Sequence, residues 1–230
     1  MWRVAPFVTD QGSTSVCVGH ALAAAACIEF RMHVDPGTPD MSFLFGYALG
    51  RRLEHPTQDW GGVELVDEGS MPRLVCKALQ KWGLPPRTTW TGDDKLNSDP
   101  DLYAFLSAVK YRVANYSAIY EQPGMRRSNT VAEVLAQGHP VCFSLVVSAE
   151  IDQWWGEPLS KTMPARNYTL PVRGSHYVCL VGYRIIGGEM EFLMRNSWGT
   201  QWGDEGYAWV AEGWVNDLAS RDFRFVEVQR

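Results

Sequence analysis

The sequence lacks the features that most readily assign a protein to a class. No apolar run approaches the ~18 residues of a membrane-spanning helix, so no membrane partner is expected. No basic-then-apolar leader opens the chain, which predicts a protein not exported by an ordinary cleaved signal. A strong charge of one sign is missing too. Lys and Arg number 21 against 26 Asp and Glu, a net charge of −5 that gives no reason to expect nucleic acid as a partner. Internal repeats and low-complexity tracts are absent. Cysteine is sparse: the five are odd in number, widely spaced and free of any C-x-x-C pair. That pattern points to neither a disulfide framework nor a zinc site, so no metal and no cofactor are expected. Such usage fits a reducing, cytoplasmic setting, with delivery as an effector as a further option.

What is present is an ordinary globular composition over 230 residues, 46% hydrophobic and 20% charged, enough chain for a sizeable core. Ten Trp is a high count, and most lie beyond residue 150. Cys27, Cys76, Cys142 and Cys179 fall inside apolar periodic segments and read as buried small hydrophobes. Cys17 does not. It stands among Ser, Thr and Gly, immediately before an alanine-rich segment.

Along the chain, residues 2–10 read as an extended lead-in. Helical spacing predicts helices from Cys17 to about Met32, from Phe43 to about Leu53 after an N-cap region at Asp40–Ser42, and from Met71-Pro72 to Trp82. Residues 54–70 are loop-like, with Gly61-Gly62 and Gly69-Ser70. Residues 86–101 are polar and turn-rich, ahead of a short helix near Asp101–Val109. The second half turns strand-like, at Tyr111–Tyr116, Pro140–Ser148, His176–Arg184, Met190–Arg195, Tyr207–Val210 and Phe223–Val228, with a helix over Thr130–Gln137. Helices followed by strands indicate an α+β protein of two lobes.

A thiol at a helix start is favoured as thiolate by the unpaired N–H groups and the dipole there, which makes Cys17 a candidate nucleophile. Gln11 lies upstream with an amide able to donate to an oxyanion. Among the histidines, His33, His55 and His139 flank turns and read as surface residues. His20 shares the helix of Cys17 and is expected to pack toward the core. His176 opens an apolar strand after Gly174-Ser175, and Asn196 ends a later strand, where its amide oxygen can orient an imidazole. Trp198 and Trp202 are placed to cover that polar contact.

Together, Gln11-Gly-x4-Cys17, Gly174-Ser-His176 and Asn196-Ser-Trp-Gly-Thr-x-Trp-Gly resemble the papain-like cysteine peptidase family, over nearly the whole chain from Trp2-Arg3 to about Tyr207. The resemblance implies a single domain over 1–230 with a helical left lobe (about 9–112), a β-barrel-like right lobe (about 113–230 plus the N-terminal strand), and an active site in the cleft between them. It implies Cys17 as nucleophile, His176 as base, Asn196 as its orienter, Trp198 as shield, and Gln11 with the Cys17 N–H as oxyanion hole. The substrate would be a protein or peptide, its backbone pairing with Gly69-Ser70. The side chain two residues before the scissile bond would meet walls formed by Met71, Pro72, Ser144, Ser175 and Tyr177.

The chain also departs from that pattern. The family's Cys-Gly-Ser-Cys-Trp is here Thr14-Ser15-Val16-Cys17-Val18, so the upstream disulfide cysteine and the following ring are replaced. Ser70 stands where Gly is common, Tyr177 stands where a small residue is common, and the 149–173 segment is longer than usual. No inhibitory pro-segment is read ahead of Trp2, so either a processed or trimmed form or control by another route is expected. The style is that of bacterial or phage-type members without disulfides or pro-segments. An amidase, deamidase or acyltransferase using the same triad is the alternative activity; a silent binding module is a remote one.

Overall fold

The computed structural model describes residues 1–55, 67–91, 96, 98–121 and 123–229. The Gly61-Gly62 part of the expected 54–70 loop, and part of the 86–101 segment, lie outside the described residues. Two compact units emerge. The first comprises Met1–Arg3, Val8–Gly12 and Ser117–Phe225; the second comprises Val4–Phe7, Ser13–Tyr116 and Val226–Arg230.

The second unit is helical, with α1 (Cys17–His33), α2 (Phe43–Glu54), α3 (Pro72–Lys81) and α4 (Leu102–Ala108). The alanine run of α1 is an intrinsically strong helix former, and every residue from Val18 to Phe30 is buried. A helix buried on all sides belongs to the centre of a unit rather than its surface. Around it close Phe45, Tyr47 and Leu49 from α2, and Val75 and Leu79 from α3. Each large apolar side chain buried this way contributes about 1.5–3 kcal/mol. The expected N-cap is Ser42, whose hydroxyl accepts from the Phe45 N–H at 3.2 Å and donates to the Trp90 carbonyl at 2.7 Å. Asp101 caps α4 in the same manner, accepting from Ala104 N–H at 2.7 Å.

The first unit is built on a sheet. In chain order the elements are β1 (Asn115–Ala118, this unit from Ser117), α5 (Arg127–Ala136), β2 (Val141–Val147), α6 (Ala149–Asp152), β3 (Thr162–Met163), β4 (Gly174–Ile186), β5 (Glu189–Arg195), β6 (Tyr207–Ala211), α7 (Gly213–Asn216) and β7 (Arg221–Glu227, this unit to Phe225). The strands lie in the order β1-β7-β2-β4-β5-β6-β3. β4 sits between β2 and β5, and its six residues from His176 to Val181 are all buried. A strand covered on both faces is apolar without alternation, which is why Tyr-Val-Cys-Leu-Val reads as one run. Phe143, Leu145, Val178, Leu180, Phe192, Met194, Trp202 and Trp214 fill the core of this unit.

Two expectations are corrected. Tyr111–Tyr116 is not one strand: Val109–Tyr111 forms a short 3-10 turn, and pairing begins only at Asn115. The backbone there bonds within the helical unit instead, Leu84 N–H to Tyr111 O at 3.2 Å and Val113 N–H to Leu79 O at 3.4 Å. The Tyr111 ring meets Phe30 edge-on. The lead-in is also not uniformly extended, since Trp2–Val4 is a 3-10 turn and only Asp10 forms a bridge, to Trp198. The short α6, β3 and α7 were not anticipated; elements of two to four residues carry too little periodicity to be read. Among the described residues, no helix is long and apolar enough to cross a membrane.

Candidate active site

In the helical unit, Cys17 is the first residue of α1, after a series of turns through Gly12–Ser15. It is half-exposed, whereas the other four cysteines are buried, as their apolar settings predicted. Val16, the residue before α1, makes no side-chain cap, and the positive dipole end of the helix falls at Cys17. His20, one turn on, is buried with its ring stacked on Phe43 at 3.7 Å and 20°. That is a packing role, as expected. Farther along this unit, Gly69 and Ser70 are half-buried, Met71 is exposed, and Pro72 opens α3.

In the sheet unit, strand register assembles the second group. β4 and β5 are antiparallel with Cys179 opposite Arg195. Following that register from Cys179 back to His176, and from Arg195 on to Trp198, brings those two rings to the same place. They stack at 4.8 Å and 28°. Trp202 meets Trp198 edge-on at 6.1 Å and is anchored by its own Nε1–H to the Ile151 carbonyl at 2.9 Å. Beneath this aromatic cover, His176 Nε2 lies 2.7 Å from Asn196 Oδ1, both residues buried.

The hydrogen-bond pattern fixes the chemistry of that contact. Asn196 Oδ1 also accepts from the Ser197 N–H at 2.8 Å, so it is an oxygen acting as an acceptor. His176 Nε2 therefore carries the proton, and in the neutral ring Nδ1 is the basic nitrogen. Burial pulls the His176 pKa down to about 4, against a smaller upward pull from Asn196. The imidazole is thus neutral at pH 7, as a proton acceptor must be. Asn196 is held in turn by its N–H on the Gly206 carbonyl at 2.9 Å. Gly206 has φ +87°, and a Cβ there would come within 2.4 Å of Val8, so only glycine fits.

Gln11 is fixed to the same loop. Its N–H donates to the Ser197 carbonyl at 2.8 Å, and its Oε1 accepts from Ser197 Oγ at 2.6 Å. The acceptor end of the carboxamide is therefore the end turned to Ser197. Sequence reasoning gave Ser197 no role; it lies 186 residues from Gln11, and only its place within Asn-Ser-Trp-Gly marked it. Ser144 and Ser175 share a 2.6 Å hydroxyl contact on neighbouring strands. Tyr177, by contrast, is buried inside this unit, its hydroxyl on the Asp222 carbonyl at 3.0 Å. The long 149–173 segment lies against the Asn-Ser-Trp-Gly loop, with Trp155 bridging to Trp202 and the Gly156 N–H on Gln201 O at 3.0 Å.

Residues 106–222, which include His176, Asn196 and Trp198 but not Cys17, match the model of the papain family of cysteine proteases. The chain belongs to that family. It is 29% identical over 229 residues to an uncharacterized peptidase C1-like protein of Acanthamoeba polyphaga mimivirus, covering 95% of this chain and 68% of that protein. Among solved structures, it is similar to xylellain, a cysteine protease from Xylella fastidiosa, at a TM-score of 0.81 and 26% identity, covering 99% of this chain and 85% of that one. A Carica candamarcensis cysteine protease shares the fold at a TM-score of 0.71 and 17% identity, covering 100% of this chain and 96% of that one. The fold is accordingly the papain-like two-lobe α+β fold, and the family is one of thiol hydrolases.

Proposed function

We propose that this papain-family chain is an endopeptidase that cleaves protein or peptide substrates through a Cys17–His176–Asn196 triad. The observation that carries the reading is the His176 Nε2–Asn196 Oδ1 hydrogen bond at 2.7 Å under Trp198, which commits one ring nitrogen and leaves the other basic. The start of α1 at Cys17 supports the matching half, a thiol whose anion is stabilised by helix N–H groups.

In this reading His176 takes the Cys17 thiol proton, and the thiolate attacks the scissile carbonyl carbon. The resulting oxyanion accepts from the Cys17 N–H and the Gln11 side-chain amide. Collapse breaks the C–N bond, the imidazolium gives its proton to the departing amine, and a thioester remains. Water, deprotonated by His176, then attacks the thioester. A carboxylic acid leaves and the thiol is restored. Asn196 keeps the imidazole oriented through both proton transfers. Gly69-Ser70 would pair with the substrate backbone, beside Met71 and Pro72. The buried thiols and absence of a paired-cysteine pattern favour a reducing compartment as its place of work.

Incubation with a diverse peptide library, read by mass spectrometry, tests this. The wild type is expected to make defined internal cuts, and Cys17→Ala to make none while melting at the same temperature. Cuts that persist in Cys17→Ala would overturn the assignment. Release of ammonia or acyl transfer without internal cuts would favour the amidase or acyltransferase alternative.

A further inference from the structure

The turns that lead into Cys17 are strapped to the segment that leads into Gly69-Ser70 by a single residue, Asp67. Its Oδ2 accepts from the Ser15 N–H at 2.7 Å, and its carbonyl accepts from Ser15 Oγ at 2.9 Å. Its Oδ1 accepts from the Tyr47 hydroxyl. Tyr47 projects from α2, fully buried, with the Arg51 guanidinium over its ring at 5.1 Å. Burial first, and then Asp67, hold the phenol above its ordinary pKa, so Tyr47 stays a donor. α2 also backs Ser70: a Cβ at Gly50 would come within 2.8 Å of Ser70 Oγ and 2.6 Å of Val75. One buried helix and one carboxylate therefore tie the approach to the thiol to the approach to Gly69-Ser70.

We propose that Asp67 is a positioning residue whose carboxylate, gripped by Ser15 and Tyr47, sets the spacing between the Cys17 thiol and the Gly69-Ser70 backbone that receives the substrate. The proposal rests on the peptidase reading above. Its physical basis is that hydrogen bonds to an ionised acceptor are short and about twice as strong as neutral ones. A reacting pair misplaced by about 1 Å can also lose on the order of 100-fold in rate. A substrate bound along Gly69-Ser70 would still bind if the strap were cut, but its carbonyl would no longer meet the thiol in line.

The test compares the full chain with Asp67→Ala, Asp67→Asn and Tyr47→Phe, on a peptide that the wild type cuts and on iodoacetamide, which reports the thiol alone. Asp67→Ala is expected to lower kcat by about 10- to 100-fold, with KM and the rate of Cys17 alkylation each within about threefold. Asp67→Asn keeps one oxygen for Ser15 but turns an N–H toward the Tyr47 hydroxyl, and should recover part of the loss, leaving kcat roughly three- to tenfold below wild type. Unchanged kcat in Asp67→Ala overturns the proposal. So does alkylation that falls in step with kcat, because the thiol itself would then be disturbed. Should Asp67→Ala not fold, Tyr47→Phe carries the same test, with an expected loss of roughly three- to tenfold confined to kcat. A wild type that neither cuts peptides nor alkylates faster than a free thiol at low pH defeats the peptidase reading, and this proposal with it, before any variant is made.

Discussion

In the helical unit the candidate nucleophile stands at the first position of α1, and the reactivity proposed for it rests on its own backbone neighbours. In the sheet unit the candidate base owes everything to partners distant in the chain. Asn196 is 20 residues away, and a tryptophan ring reaches His176 by strand register. The contrast lies between a local electrostatic device and a buried, tertiary one. A helix dipole acts on whatever residue opens the helix and weakens within a turn. A neutral buried imidazole exists only where a folded sheet excludes water and supplies an oriented acceptor. The two histidines sharpen the point. His20, one turn along α1 from Cys17, is used for packing on Phe43, while the distant His176 is left with a basic nitrogen.

The largest effect expected separates those histidines. His176→Ala should lower kcat/KM by about 10³-fold or more, in the range lost with a general base. His20→Ala should leave turnover within a few-fold but cost about 2–3 kcal/mol of stability through the cavity beside Phe43. Denaturant melts and steady-state kinetics on both variants decide it. A reversal, with His20→Ala inactive and His176→Ala active, would put the base in the helical unit and end the comparison.

Next in size is acid stability. The folded pKa of His176, about 4, lies below the usual 6.5, so the unfolded chain takes up this proton first as pH falls. The stabilisation is complete above pH 6.5, is lost progressively down to about pH 4, and amounts to roughly 3 kcal/mol. Urea melts across that window should show the wild type losing about this much more than His176→Gln. Parallel losses in the two proteins would show that His176 is not held neutral by burial.

The smallest effect concerns the link between Gln11 and the Asn-Ser-Trp-Gly loop. Ser197→Ala removes the 2.6 Å bond that orients the carboxamide, worth about 1 kcal/mol. The expected result is a kcat lowered roughly three- to tenfold at unchanged KM, because an oxyanion donor acts on the transition state and not on bound substrate. A rise in KM alone would instead make Gln11 a substrate contact.

Much of the fold was legible because periodicity and caps are local. The three long helices of the helical unit and the β2, β4 and β5 strands fall close to where spacing places them. Tyr111–Tyr116 misled because its aromatic and β-branched residues suit a strand, while the backbone there is engaged by Leu79 and Leu84. Cys17, His176, Asn196 and Gln11 were legible as residue types in motifs. Asp67 was not: Ser15 lies 52 residues away and Tyr47 lies 20 away, and no spacing rule connects them.

The sequence by itself determined the chemistry on offer: a thiol at a helix start, an imidazole at the head of an apolar strand, an amide closing another, and tryptophans nearby. Each follows from residue identity and short-range pattern. Only the tertiary structure decided which imidazole nitrogen is basic, how far burial lowers its pKa, which end of Gln11 is anchored, and that Asp67 straps the Cys17 approach to Gly69. Those properties depend on strand register, water exclusion and hydrogen bonds between residues far apart in the chain, which no local pattern encodes.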